Sequence, residues 1–347
     1  MNTPISGIVV TGYSAVSAAG IGTAAIQDLL RSGCDALAPI PGDVIGRDGL
    51  RWGKVNGFKA SDFMPPMKAR KMDRCSQFAV AVAGLALKEA GIDLKELPAE
   101  RVGIALGSGF CGVSNAAEFL TGYFTDGAEG LIPMIFPNTV PNSPASNASI
   151  EHGFRGPNVT LVQRFCSAES AFMMACRFIE EGRADIMLTG GADELIPLIA
   201  KGLAAMGQMT LASASFGEGC GMVVLESAAH AARRGAAVKA SVEAITTIGM
   251  LATGHEGEAL DLLAGSPDSR CSVSLSGTAA DMPGLLERVS PGPKIDIGCT
   301  VGRSLAMGGT AMAALLASLQ QGQAGLHLAA SPEGPYYAIR FRGGAPV

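Results

Sequence analysis

The sequence predicts an α/β fold built on a mostly parallel sheet with both faces covered. Three observations predict it. Short apolar runs alternate with longer segments of helical period. The short runs are apolar throughout instead of alternating, as strands buried on two faces are. Several helical segments stop at a glycine, the usual end of a helix that feeds the next strand.

In order along the chain, Ile8–Thr11 reads as a buried strand ending in a Gly/Ser turn, and Thr23–Ser32 as a short helix. Met72–Ala90 is a long helix with Asp73 in its first turn, Lys88 in its last and Gly91 to stop it. Val102–Leu106 is a strand running into the loop Gly107–Gly112. Asn158–Val162 is a strand, and Ser167–Glu181 a helix closed by Gly182. Ile186–Thr189 and Gly221–Leu225 are further strands. The charged helical segment Glu226–Ala236 reads as a joint, dividing the chain into residues 1–236 and 237–347. The second part restarts with strand-like Val238–Ile248, then Cys271–Leu275, Lys294–Ile297, the helix Gly308–Leu319 and a last strand, Tyr336–Phe341. Between them Thr253–Ser269 is polar, contains glycine and is expected to be loop.

Composition narrows the function classes. With 48% hydrophobic and 16% charged residues over 347 positions, the chain can bury a large core. A net charge of −5 offers no electrostatic footprint for nucleic acid. No apolar run approaches the roughly 18 residues of a membrane span. The opening segment lacks a basic stretch and contains Pro4, so it reads as the approach to a strand and not as a secretion signal. Eight cysteines without a C-x-x-C pair read as reduced thiols of a cytoplasmic protein. Four histidines, none spaced as a metal pair, argue against a metal site, and nothing calls for a cofactor.

One stretch carries chemistry. In Asn158–Ala171 a β-rich run passes abruptly into a helix with Cys166 at the junction. A thiol at a helix N-terminus meets unsatisfied N–H groups and the positive end of the helix dipole, which lower its pKa. The same N–H groups can hold an oxyanion. Two readings stand side by side: Cys166 is a nucleophile, or it is a small residue filling a tight turn.

Here the chain resembles the β-ketoacyl-acyl carrier protein synthases. The resemblance rests on blocks in one order: Gly7–Gly20, Arg70 and Asp73 through Ala90-Gly91, Val102–Gly109, Phe136-Pro137-Asn138, Gly156-Pro157, Cys166-Ser167, Gly182–Gly191, Gly217-Glu218-Gly219, and Val223–Glu226 through Arg234-Gly235-Ala236. Any one glycine block is weak evidence; the series is strong. The resemblance implies a thiolase fold, two related α/β halves stacked as αβαβα layers, with the C-terminal half reduced. It implies a dimer whose seam runs along the strand Asn158, Val159, Thr160, Leu161 and Val162, and a nucleophile at Cys166.

The family's condensation also uses two histidines and a lysine, and here the chain departs from the pattern. Ser276, in Ser274–Thr278, stands where the first histidine is expected. Arg303 stands at the second and Gly298 at the lysine. The C-terminal Phe-Gly-Gly loop that gates the cysteine has no counterpart, and neither His152 nor His327 lies at a motif position. Stretches are missing after Met209, around Ser266 and after Gly325. A serine cannot act as an imidazole, and arginine stays charged and cannot trade a proton near pH 7. Losing one preorganised donor costs about 3 kcal/mol of transition-state stabilisation, so decarboxylative condensation is not expected.

The first reading that follows is a chain-length-factor-like subunit of a polyketide or fatty-acid type system. It pairs as a heterodimer with an active ketosynthase, meets an acyl carrier protein, and shapes the acyl pocket through Phe110, Cys111, Leu131–Phe136 and the interface strand. A second is a stand-alone acyl-thioester transferase using Cys166 alone, with Arg303 holding a substrate carboxylate or phosphate. A third is a degenerate scaffold.

Overall fold

The computed structural model describes residues 2–46, 48–210, 215–265, 270–289 and 292–344. Two of the shortened places, just after Met209 and around Ser266, border or fall in 211–214 and 266–269, outside the described residues. The longer elements are labelled in chain order. Strands are β1 (Ile8–Ser17), β2 (Val102–Ser108), β3 (Asn158–Leu161), β4 (Ile186–Asp193), β5 (Gly219–Ser227), β6 (Ala240–Ile248), β7 (Ser272–Gly277), β8 (Lys294–Ile295), β9 (Ala324–Ala330) and β10 (Tyr336–Gly343). Helices are α1 (Thr23–Ser32), α2 (Arg74–Glu89), α3 (Val113–Asp126), α4 (Ser143–His152), α5 (Ser167–Glu180), α6 (Pro197–Ala205), α7 (Glu256–Ala264) and α8 (Gly308–Ser318).

The strand order is β8-β7-β9-β10-β6-β1-β5-β4-β2-β3. It consists of one pattern used twice. In the first half β3, β2 and β4 are parallel neighbours and β5 runs antiparallel between β4 and β1. In the second, β8, β7 and β9 are parallel and β10 runs antiparallel between β9 and β6. The halves join through short antiparallel contacts along β6: Ala240 opposite Val10 and Ser241 opposite Val9, and the N-terminal Asn2–Pro4 opposite Thr246, Ile245 and Ala244. Their apolar faces sort into three layers of core. Helices α5 and α8 lie between the halves, where Phe172, Cys176, Met312 and Leu315 share one cluster with Val10 and Val223 of the first half and Tyr337, Ile339 and Phe341 of the second. Helices α2 and α4 cover the outer face of the first half, and α7 that of the second. The layered α/β arrangement expected from the sequence is present. No helix among the described residues is long and apolar enough to cross a membrane.

Local chemistry explains the boundaries. Asp73 caps α2, its carboxylate accepting from the Ser76 N–H at 2.9 Å. Strand β1 runs well past Thr11 because Gly12 lets α2 approach: a Cβ there would stand 2.6 Å from the Ala86 carbonyl. Helix α8 seats its first turn directly on β5, and a Cβ on Gly309 would meet the Gly221 carbonyl oxygen at 2.0 Å.

Three expectations are corrected. The sheet is mixed and not mostly parallel: five of the nine neighbouring pairs in the order above run antiparallel, because β10, β6, β1 and β5 alternate in direction in its middle. Thr253–Ser269 is not all loop; α7 occupies Glu256–Ala264, with Leu260 and Leu263 buried in the outer core. Nor are all cysteines free: Cys75 of α2 and Cys111 are joined as a disulfide, their Cα atoms 5.5 Å apart. Sequence spacing gave no hint of that pair. It forms because the second oxygen of Asp73 accepts from the Gly112 N–H at 2.7 Å, drawing the loop after β2 onto α2. Helices α3 and α4 and strand β9 carry too little periodicity to be read from the sequence.

Candidate active site

Cys166 ends a single 3₁₀ turn, Arg164–Cys166, and stands at the N-cap of α5. Arg164 takes φ 48°, a left-handed conformation uncommon for a side-chain-bearing residue. The turn is locked locally: the Ser167 hydroxyl accepts from the Gln163 N–H at 2.8 Å and donates to the Arg164 carbonyl at 2.8 Å. This is the strand-to-helix junction the sequence marked, at β3 and α5.

The thiol is sealed. Cys166 is 0% exposed. Its S–H donates to the Pro335 carbonyl at 3.1 Å and its N–H to the Gln163 carbonyl at 3.1 Å. Pro335 belongs to the turn Ser331–Pro335 between β9 and β10, closed by Gly334 N–H donating to the Ser331 carbonyl at 2.9 Å. An exposed Arg164–Glu333 ion pair at 3.1 Å ties the turn to the nucleophile loop. A short hairpin turn therefore covers the cysteine where a gating loop was expected to be missing. The anticipated lowering of the thiol pKa does not occur. Burial pushes the Cys166 thiol up, and the charge of Glu169 pushes it further the same way.

Ser276 lies near the end of β7, fully buried. Its hydroxyl donates to Glu169 Oε1 at 2.6 Å, and Glu169 lies one turn along α5 from Cys166. The same Oε1 faces His327 Nε2 at 2.8 Å. His327 stands on β9, in register with Ser274 of β7, and Ser274 Oγ lies 2.8 Å from its Nδ1. Glu169 and His327 are both 0% exposed. His327, off every motif position in the sequence, is wholly buried and reaches Ser276 from the neighbouring strand at 3.5 Å, 51 residues further along the chain. An acid three residues after Cys166 was the available signal, and it passed unremarked.

Arg303 follows a short helix, Gly298–Val301. Its backbone bridges Ser215 and Gly217, at 2.8 Å to each. Its guanidinium grips Asp281 with both NH groups, the second at 3.0 Å, and its side chain is largely buried. Gly298 makes the room, since a Cβ there would stand 2.9 Å from the Arg303 Cγ. Arg303 is thus committed to an internal carboxylate, which corrects its assignment as a clamp for a substrate anion.

The residues grouped as interface and acyl pocket separate into two places. Phe110 packs beside Phe165, Leu195 and Ile199, close to the cysteine loop. Cys111 is buried in its disulfide and lines nothing open. Phe136 is 59% exposed and leans on Phe119, with ring centroids 5.4 Å apart. Among the described residues, Asn158, Val159, Thr160 and Leu161 form an edge strand paired only with β2, and Val162 beyond it is 60% exposed. Leu120, Tyr123, Phe124, Ile132, Met134, Val140 and Ile150 are also exposed.

A buried carboxylate the sequence reading missed holds the site together. Asp193, at the end of β4, accepts from the N–H groups of Gly109, Phe110 and Ala306 at 2.7–2.8 Å. Burial pushes its carboxyl up, while these hydrogen bonds and Ser304 pull it back.

Comparison with known proteins agrees with this architecture. The profile of the beta-ketoacyl synthase N-terminal domain matches residues 6–231. Nodulation protein E of Rhizobium leguminosarum bv. trifolii is 31% identical over 268 residues, 74% of this chain and 65% of that protein. 3-Oxoacyl-[acyl-carrier-protein] synthase 2 of Vibrio cholerae is 31% identical over 207 residues, 55% of this chain and 50% of that one. The chain thus spans about half to two thirds of the length of these relatives. Among solved structures, the ishigamide ketosynthase/chain length factor superposes with a TM-score of 0.81 at 22% identity, covering 97% of this chain and 99% of that one. With its cysteine at the strand–helix junction, its twice-used sheet pattern and the profile match over most of its first half, this chain belongs to the β-ketoacyl synthase family.

Proposed function

We propose that this chain is a non-condensing, chain-length-factor-like member of its family. In this reading it pairs with an active ketosynthase and shapes the pocket into which an acyl chain on a carrier protein extends. The observation that carries the reading is the state of the cysteine site. Both polar groups of Cys166 are satisfied by the chain's own carbonyls, and the positions expected to supply imidazoles hold Ser276 and an Arg303 already bound to Asp281. Decarboxylative condensation needs donors that strengthen toward an enolate as it forms, and neither side chain is placed to do so. The edge of β3, unpaired among the described residues, and the exposed apolar side chains support pairing with a second subunit.

The test is to co-express the chain with an intact ketosynthase from the same source and assay condensation of acyl and malonyl carrier-protein thioesters. Wild type, C166A and the ketosynthase alone are compared. Condensation that requires this chain and survives C166A is the expected outcome. Turnover by the ketosynthase alone, at the same rate and product length, would sink the proposal.

A second reading, a Cys166-dependent acyl-thioester transferase, is favoured by one specific observation: the buried acid–imidazole pair one helical turn from the thiol. Acyl transfer needs a nucleophile and a proton acceptor but no decarboxylation.

A further inference from the structure

Glu169 is the least explained group in the molecule. Its side chain is wholly buried, and Gly308 is kept free of a side chain for it: a Cβ there would stand 2.0 Å from Oε1. Oxygen Oε1 is fully engaged, by Ser276 at 2.6 Å and His327 at 2.8 Å. Oxygen Oε2 is buried with no hydrogen-bond partner among the described residues. An unpaired buried carboxylate oxygen is costly, and such atoms concentrate where a catalytic role retains them. Cys166 is the N-cap of α5 and Glu169 lies in its first turn, and the effect of Glu169's charge on the thiol places the two groups near each other.

The two groups fit each other's needs. A thiol held up by burial does not rest as thiolate, so it attacks only if a base takes its proton during the reaction. Glu169 is a base with one oxygen vacant. An ionised carboxylate only accepts, so His327 presents Nε2–H to it and Nδ1 to the Ser274 hydroxyl, which fixes the ring. His327 and Ser276 thus hold Oε1 and leave Oε2 as the acceptor.

We infer that Glu169, positioned by His327 and Ser276, is the proton acceptor for acylation of Cys166 by an acyl thioester, in a site distinct from the family's two-histidine arrangement. The inference rests on the second reading above. In the step, the Cys166 S–H bond breaks and its proton passes to Glu169 Oε2 as sulfur bonds to the thioester carbonyl carbon. The tetrahedral intermediate expels the substrate thiolate, which takes the proton back from Glu169. The products are acyl-Cys166 and a free thiol, with no oxidant or second substrate. The turn Ser331–Pro335 has to lift for the carbonyl to reach sulfur, releasing the S–H from Pro335 and parting Arg164 from Glu333.

The experiment uses the full chain carrying C34S and C299S, which removes the two exposed free thiols. Hexanoyl-N-acetylcysteamine is the probe, and acylation is followed by intact-protein mass and peptide mapping against pH. Acylation confined to Cys166 and absent in C166A is expected. E169Q, which keeps the size and Oε1 of the residue, should slow it about a hundredfold and change the shape of the wild-type pH–rate profile, leaving only a residual rate that climbs as the thiol itself deprotonates. A merely structural Glu169 would leave that profile in place. If E169Q does not fold, H327N carries the test: it keeps the carboxylate but removes a donor on Oε1, so the midpoint of the pH–rate rise must move. Wild type left unacylated, a folded E169Q reacting at the wild-type rate, or an unmoved midpoint in H327N overturns the inference. The condensation assay with a partner ketosynthase is independent of each of these outcomes.

Discussion

At the scale of single residues, the buried acids set the behaviour of the molecule. Glu194 accepts from the Ser114 N–H and hydroxyl at 2.7 and 2.8 Å, yet burial and the nearby charge of Asp73 push its carboxyl up to about 7. A carboxyl whose folded pKa is raised binds its proton more tightly folded than unfolded. Its contribution is therefore fully present below the ordinary glutamate range and is lost as pH rises through about 7. The loss between pH 5 and 7.5 is on the order of 2–3 kcal/mol. E194Q should be less sensitive over that window, compared by urea midpoints at pH 5.5, 6.5 and 7.5; a parallel decline in both proteins would refute the assignment. Sequence legibility at this scale was uneven. Cys166 was visible because a β-rich run meets a helix there. His327 was not, because its partners Ser276 and Glu169 lie 51 and 158 residues away, and only the pairing of β7 with β9 brings them together.

Elements differ in how tightly they tolerate change, and glycine marks the difference. Helix α8 rests backbone on backbone against β5 at Gly309 and Gly221, with no flexible side chain able to yield. G221A should cost several kcal/mol by overpacking, read as loss of soluble folded protein. Gly202 inside α6 faces open space. G202A should be neutral or raise stability by up to about 1 kcal/mol. Equal thermal shifts in the two variants would refute this account of the α8 seat. Apolar strands and helices such as α1 and the Asp73-capped α2 were legible in the sequence. Helix α4 was hidden by its serines, and α7 by the polar residues of its outer face, because tertiary packing and not local pattern makes them helical.

The whole molecule is one topology used twice, joined along β6, which pairs with β1 and with the N-terminal Asn2–Pro4. The two related halves were legible from the order of strands and helices and from the resemblance, but no internal sequence repeat marks them, because burial constrains only the apolar character of each strand and leaves its identity free. The edge of β3, unpaired among the described residues, is the outer boundary of the first half, and Val162 and Ile150 stand exposed. If a second subunit docks there, aspartate at both positions should convert a dimer to a monomer in light scattering with little change in the melting temperature. A mass that stays dimeric would move the interface elsewhere. The cysteine site has a further property. Cys166 and Glu169 come from the first half, while Ser276, Arg303, His327 and Pro335 come from the second. During synthesis the first half emerges and can organise its own sheet while the groups that cover its cysteine are still unmade. Until the hairpin of β9 and β10 arrives, the thiol and the acid lie open on the exposed face of α5. The covering of Cys166 therefore has a built-in order, since it waits for Pro335, 169 residues further along the chain.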